Sequence, residues 1–277
     1  MSSDIYRSAR GRDAIAQWCT ERLDAWPVPH QRLMITANGA ATHAVVAGGG
    51  SRTVVFVPGT NFNAASCLPL ATALAARSRM VLPDVPGQPG LSSAERAPAG
   101  RRLAWYGRWL TDLITQTAEG PAVLVGHSLG AAIALSSDLP LVVRQVLASP
   151  GGLVRARTGP GILVPATSWL LRRSPAASAR LLETMHAPEN RPRRELVDWM
   201  TLIARHVRSS LDPGRAVVAD RRVDRVVVSG EHDRYFPARA LAPALQRSLG
   251  LELGVIPSAG HLSTDEQPDR IAALATS

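Results

Sequence analysis

A serine, a carboxylate and a histidine stand in this 277-residue chain in an order that suits nucleophilic catalysis. The serine lies in VLVGHSLGAA, residues 123–132, where Gly126-His127-Ser128-Leu129-Gly130 is a G-x-S-x-G sequence between an apolar run and a helix-forming AAIAL. A serine on a sharp strand-to-helix turn is held in a strained backbone conformation, and only very small residues can flank it without collision. The turn also sets the serine at a helix N-terminus, whose free N–H groups favour developing negative charge. A hydroxyl with no base remains a poor nucleophile near neutral pH, so the pentapeptide needs partners.

Those partners are expected at later strand ends. After RVVVSG comes Gly230-Glu231-His232-Asp233, and after LGVIPS comes Ala259-Gly260-His261. The chain order Ser128, Asp233, His261 is one of the orders in which a Ser-His-Asp triad is built. Glu231 and Asp265 compete for the acid position; placement after the strand and the Asp-x-x-x-Pro run to Pro237 single out Asp233. His232, His186 and His206 compete for the base. His232 shares the acid's loop, and the other two read as ordinary helix-face residues, which leaves His261. His127 reads as a packing residue that points away from the chemistry.

The elements that must position these groups follow from hydropathy period. Short apolar or β-branched runs bounded by Gly, Pro or Ser predict strands at 32–37, 42–47, 53–57, 79–83, 122–125, 142–148, 225–229 and 252–256. The later ones are almost wholly apolar, as parallel strands covered on both faces require. The first two can pair antiparallel around Asn38-Gly39. Helical stripes intervene, one through Leu103, Tyr106, Leu110 and Leu113 and another through Leu241, Leu245 and Leu249. Alternating strands and helices predict a mostly parallel twisted sheet of about eight strands with helices on both faces, and such sheets bind ligands at the strands' carboxyl ends. Residues 153–212 break the rhythm: they show apolar helical stretches at 167–171 and 196–207 and no convincing strand. They predict a helical insertion over the strand ends, with 1–152 and 213–277 forming the core.

With these pieces assembled, nearly the whole chain resembles the α/β-hydrolase superfamily. Val57-Pro58-Gly59-Thr60 stands where that family has its His-Gly oxyanion loop, and Asp84-Val85-Pro86-Gly87-Gln88-Pro89-Gly90-Leu91-Ser92 is similar to its D-x-P-G-x-G-x-S loop. Pro58 replaces the family's histidine, and Gln88-Pro89 disturbs the second loop. The insertion matches the family's helical cap; the opening WPVPHQRLMI and the segment ELVDWMTLIARHVRSSL are similar to bacterial carboxylesterase-like members. The resemblance implies a serine hydrolase. His261 would take the Ser128 proton during attack on an acyl carbonyl, Asp233 would fix the imidazole, and the N–H groups of Leu129 and Thr60 would hold the oxyanion. One such donor is typically worth roughly 3–4 kcal/mol of transition-state stabilisation. The expected substrate is a small ester, thioester or lactone, and no cofactor or metal is required. Asn61, Trp169, Met185 and Trp199 are candidates to line an acyl pocket, although Trp169, Met185, Trp199 and Met200 serve equally to fasten cap to core. Haloperoxidase or perhydrolase chemistry, carbon–carbon bond hydrolysis, a lyase step, and a non-catalytic ligand receptor remain alternatives on the same scaffold.

Composition narrows the remaining classes. The net charge is +9, and all 31 basic residues are arginine. They are scattered rather than striped, which favours a solvated basic surface over a nucleic-acid site. The cap arginines Arg172, Arg173, Arg191, Arg193 and Arg194 could attract an anionic substrate, or form a solvated helix face. Cys19 and Cys67 fit no metal or disulfide spacing. No stretch approaches the roughly 18 apolar residues of a membrane span. The charged opening MSSDIYRSARGRDAI has no apolar signal region, so the expected setting is the cytoplasm, as monomer or homodimer.

Overall fold

The computed structural model describes residues 4–98, 100–208, 216, 218 and 223–277. Among these, eight strands form one sheet: β1 (His30–Ala37), β2 (Ala40–Ala47), β3 (Thr53–Val57), β4 (Arg79–Pro83), β5 (Ala122–His127), β6 (Val142–Ala148), β7 (Asp224–Gly230) and β8 (Leu253–Ile256). Their order is β1-β2-β4-β3-β5-β6-β7-β8. The β1–β2 and β2–β4 pairs are antiparallel and all others parallel. The first hairpin turns at Asn38 and Gly39, whose φ angles of 44° and 78° give the doubly left-handed turn that matches strand twist.

Strand β3 shows why the central strands carry no polar face. Val54 and Phe56 pack with one helical layer while Val55 and Val57 pack with the other, and all are buried. On one side lie α1 (Ala9–Asp24), α2 (Leu68–Ala75) and α10 (Pro268–Thr276). On the other lie α3 (Arg102–Thr117), α4 (Leu129–Leu135) and α8 (Ala238–Leu249). Trp109 and Tyr106 of α3 are fully buried, each such side chain contributing roughly 1.5–3 kcal/mol or more. Between β6 and β7 the chain forms α5 (Pro160–Arg172), α6 (Pro175–Glu183) and α7 (Arg194–His206). This is where a helical insertion was expected. The four-residue α9 (Ser263–Glu266) follows β8.

Helix α1 has no counterpart in the sequence-based expectation. Its buried stripe of Gly11, Ile15, Cys19 and Leu23 holds too few strong apolar residues to show in a hydropathy pattern. Ser8 caps it by accepting from Gly11 N. Gly11 allows close approach to α7: a Cβ there would stand 3.0 Å from that of His206.

Candidate active site

Ser128 sits between the last residue of β5 and the first of α4, with φ 52° and ψ −109°. This left-handed conformation is costly for a non-glycine residue. Its flanks explain the glycines. A Cβ on Gly130 would lie 1.9 Å from the Val57 carbonyl oxygen, and one on Gly126 would lie 2.6 Å from the Ala131 Cα. The backbone is pinned on both sides, Ser128 N donating to Ala148 O at 3.0 Å and Gly151 N donating to Ser128 O at 3.1 Å.

Asp233 lies in the loop after β7, buried, with its carboxylate divided between two tasks. Oδ1 accepts from Tyr235 N at 2.8 Å and Phe236 N at 2.9 Å. Oδ2 accepts from His261 Nδ1 at 3.1 Å and from Ser229 Oγ at 3.4 Å. Burial pushes this carboxyl up, but the His261 charge, its hydrogen bond and the Phe236 N–H pull it further down, to about 2. The pair is therefore ionised on the acid side throughout the neutral range. His261 Nδ1 is committed to Asp233, which leaves Nε2 for a proton acceptor's role. Among the described residues Ser128 Oγ makes no hydrogen bond. It shares a cavity with His261, and such contacts commonly tighten only around substrate.

The cavity measures about 120 Å³ and is lined by Gly59, Thr60, Asn61, Phe62, His127, Ser128, Gly152, Val154, Ala156, Met185, Tyr235, Phe236 and His261. Among the described residues no carboxylate or guanidinium lines it. Of the four pocket candidates, Asn61 and Met185 are on its wall. Trp169 and Trp199 are not. Both are buried elsewhere, the Trp169 Nε1 donating to Met200 O at 2.9 Å and the Trp199 Nε1 to Asn61 O at 2.8 Å. An indole with a polar tip and a large apolar body suits an interior contact with one carbonyl, and that is how each is used.

Trp199 leads to the loop after β3. Phe62 N donates to Gly59 O at 3.1 Å, closing a turn in which Asn61 has φ 67°. Asn61 N donates to Gln88 Oε1 at 2.9 Å, and its carbonyl takes the Trp199 indole. Thr60, the neighbour of Asn61 in this turn, is on the cavity wall. Leu129, the first residue of α4, has a first-turn N–H with no intrahelical acceptor. Gln88 thus has a positive role in the loop whose pattern it disturbs. Asp84 in the same loop accepts from Ala64 N and Leu91 N, each at 2.8 Å, tying the two loops together.

His127 corrects a second expectation. It is buried packing, but it does not point away from the site: Nε2 donates to the His261 carbonyl at 2.8 Å and the two rings lie 5.0 Å apart. Burial, reinforced by the neighbouring His261, pulls its imidazole down to about 3, so it is neutral. Tyr235 and Phe236 flank His261 at 5.1 and 5.5 Å. The competing residues are occupied elsewhere. Glu231 accepts from Ser258 N, Asp265 binds Arg193 through two oxygens, and His186 donates to Leu182 O. His232 is half-buried beside Glu231, and His206 packs against Gly11. Glu266, which the sequence did not single out, accepts from Gly260 N, Ala187 N and Asn190 Nδ2 at 2.7, 2.7 and 2.8 Å. It ties the α6–α7 connection to the His261 loop.

The chain is similar to known proteins over most of its length. The chain is 28% identical over 240 residues to 2-(acetamidomethylene)succinate hydrolase of Mesorhizobium japonicum, covering 78% of this chain and 84% of that one. Its fold is similar to naproxen esterase of Bacillus subtilis, with TM-score 0.79, 20% identity and 97% and 98% of the two chains covered. It is similar again to carboxylesterase CesB of Bacillus subtilis, with TM-score 0.77, 18% identity and coverages of 96% and 97%. Among the described residues no helix is long and apolar enough to cross a membrane. The family model described as the alpha/beta hydrolase family matches residues 54–274, and the chain belongs to that family.

Proposed function

We propose that the protein is a serine hydrolase that cleaves a small, uncharged carboxylic ester, or a thioester or lactone, through an acyl-enzyme on Ser128. One observation carries this reading: the strained Ser128 and the Asp233-bound His261 open onto one small cavity with neutral walls. On this mechanism His261 Nε2 accepts the Ser128 proton as Oγ attacks the acyl carbon, and Asp233 stabilises the imidazolium that forms. The N–H groups of Thr60 and Leu129 hold the oxyanion; the proton then passes to the leaving alcohol. Water, deprotonated by His261, attacks the acyl-enzyme and releases the acid.

The cavity's size and polarity bear on the substrate. At about 120 Å³ it is well below the several hundred Å³ of pockets for larger ligands, which favours a short acyl chain. The relative from Mesorhizobium japonicum is named for a succinate derivative, a dianion; among the described residues no arginine lines the cavity here, which favours a neutral acyl group. The three helices α5–α7, with Met185 between α6 and α7 on the cavity wall, serve as the cap.

Short p-nitrophenyl esters of graded acyl length test the proposal. Ser128→Ala is expected to lower turnover to the level of the buffer reaction, and a fluorophosphonate probe is expected to label wild type at Ser128 but not His261→Ala. Turnover at wild-type level in Ser128→Ala would refute covalent catalysis by that residue. An unreactive serine in a folded wild-type protein would favour the ligand-receptor alternative.

A further inference from the structure

The most unusual surface on the molecule is helix α5. Of its 13 residues only Ile162 and Trp169 are buried, although the sequence is PGILVPATSWLLR. Leu163, Val164, Leu170 and Leu171 stand 49, 68, 41 and 77% exposed. Positions 163, 164, 167, 170 and 171 fall on one helical face, roughly opposite Ile162 and Trp169 at 100° per residue. Only the exposed Thr167 interrupts that stripe. Exposed apolar residues scattered singly need no explanation, but four on one face do.

The charge around this stripe is one-sided. Residues 139–182 contain no aspartate or glutamate and six arginines. Arg172 and Arg173 end the helix on one side. Beside its N-terminal turn, adjoining grooves are lined by Arg157, Arg180, Arg191 and Arg234. Among the described residues the acids bordering those grooves are Glu183, 4.0 Å from Arg191, Glu231, which accepts from Ser258 N, and the buried Asp233, which accepts from His261 Nδ1. An apolar stripe flanked by guanidinium groups is the pattern of a helix lying in the plane of a lipid interface: apolar side chains enter the acyl boundary while arginines meet anionic headgroups. A second copy of the chain fits this face poorly, because a two-fold contact would set the same arginines against each other.

We propose that α5 docks the protein on an anionic lipid surface, with its exposed stripe inserted and the flanking arginines on the headgroups. The chain leading into α5 supplies Val154 and Ala156 to the catalytic cavity, so docking brings the cavity close to the lipid. The proposal does not depend on the reaction performed there.

Co-sedimentation of the full chain with vesicles tests it, comparing pure phosphatidylcholine with phosphatidylcholine containing phosphatidylglycerol. Wild type is expected to bind the anionic vesicles, to bind pure phosphatidylcholine weakly, and to be released by salt. The double variant Val164→Asp/Leu171→Asp is expected to lose binding. Arg172→Gln and Arg191→Gln are each expected to weaken it about fivefold, the effect of one cation near an anionic surface. Melting temperature and turnover of a soluble short ester are expected to be unchanged in all variants, since these side chains are exposed and none of them lines the Ser128 cavity. No binding to the anionic vesicles by wild type overturns the proposal, as does equal binding by the Val164→Asp/Leu171→Asp protein. Concentration-dependent self-association that this double variant abolishes, without lipid binding, assigns the face to a second copy and overturns it also.

Discussion

Replacing Gln88 by alanine removes the acceptor for the Asn61 N–H, a 2.9 Å hydrogen bond inside the protein. Losing the acceptor of a buried N–H typically costs about 1–3 kcal/mol. The turn from Gly59 to Phe62 can recover part of this by rotating the Asn61 peptide toward the cavity, and that rotation displaces the neighbouring Thr60 N–H. Losing an oxyanion donor outright lowers kcat by about 100- to 1,000-fold. A donor that is present but misplaced is expected to lie below that range, at about 10- to 100-fold. On the proposed mechanism the loss falls on kcat, with KM little changed, because the oxyanion forms only after binding. Gln88→Glu retains an acceptor oxygen at the same reach and is expected to recover part of kcat. The assay is steady-state hydrolysis of a short p-nitrophenyl ester with a melting curve for each variant. A Gln88→Ala protein that melts several degrees lower but keeps wild-type kcat would refute the link between this side chain and the oxyanion turn.

Two further outcomes follow from the same geometry. Gly130→Ala places a methyl 1.9 Å from the Val57 carbonyl, so the β5–α4 turn must shift; a loss of at least about 3 kcal/mol in urea unfolding is expected, and a near-native midpoint would contradict the close packing. His127 is held at about 3, below the ordinary 6.5 of a histidine, so the unfolded chain takes up a proton that the folded one refuses. Its contribution to stability is complete above about pH 6.5 and declines as the pH falls toward 3, with a slope of up to about 1.4 kcal/mol per pH unit. His127→Gln keeps a donor for the His261 carbonyl but cannot titrate, and its stability is expected to fall less between those limits; parallel wild-type and variant curves would exclude this role.

How much of this was legible in the chain depends on how local the physics is. The turn at Ser128 is short-range: steric demands at Gly126 and Gly130 and the flanking strand and helix patterns are all within ten residues. Asp233 and His261 were readable because each follows an apolar strand, and parallel sheets gather such strand ends on one edge. Gln88, Trp199 and Glu266 were not readable. Gln88 and Trp199 each act through a hydrogen bond to a backbone group far away in sequence, Glu266 through bonds to Ala187 N and Asn190 Nδ2 across the fold as well as to nearby Gly260 N, and which carbonyl an indole reaches depends on how α7 settles on the loop after β3. Trp199 illustrates the ambiguity, since a buried tryptophan meets the same compositional expectation whether it lines a cavity or braces a turn. Helix α1 escaped notice because its buried stripe spends one of four positions on glycine and one on cysteine.

That helix changes where the functional unit begins. The family match starts at residue 54, yet Trp18 of α1 stacks on Trp199 with ring centroids 4.6 Å apart, and Trp199 holds the turn beside Ser128. Just ahead of α1, Ile5 N donates to Ala94 O, Arg208 N donates to Ile5 O, and Tyr6 pairs with Val207. The Tyr6 hydroxyl donates to Gly90 O in the loop that carries Gln88. The amino-terminal residues are therefore a clasp between that loop and the end of α7. A fragment trimmed to the recognisable family segment would keep Ser128, Asp233 and His261 but lose the clasp on the loop that carries Gln88, so a fragment meant to preserve the proposed site is expected to need the first helix.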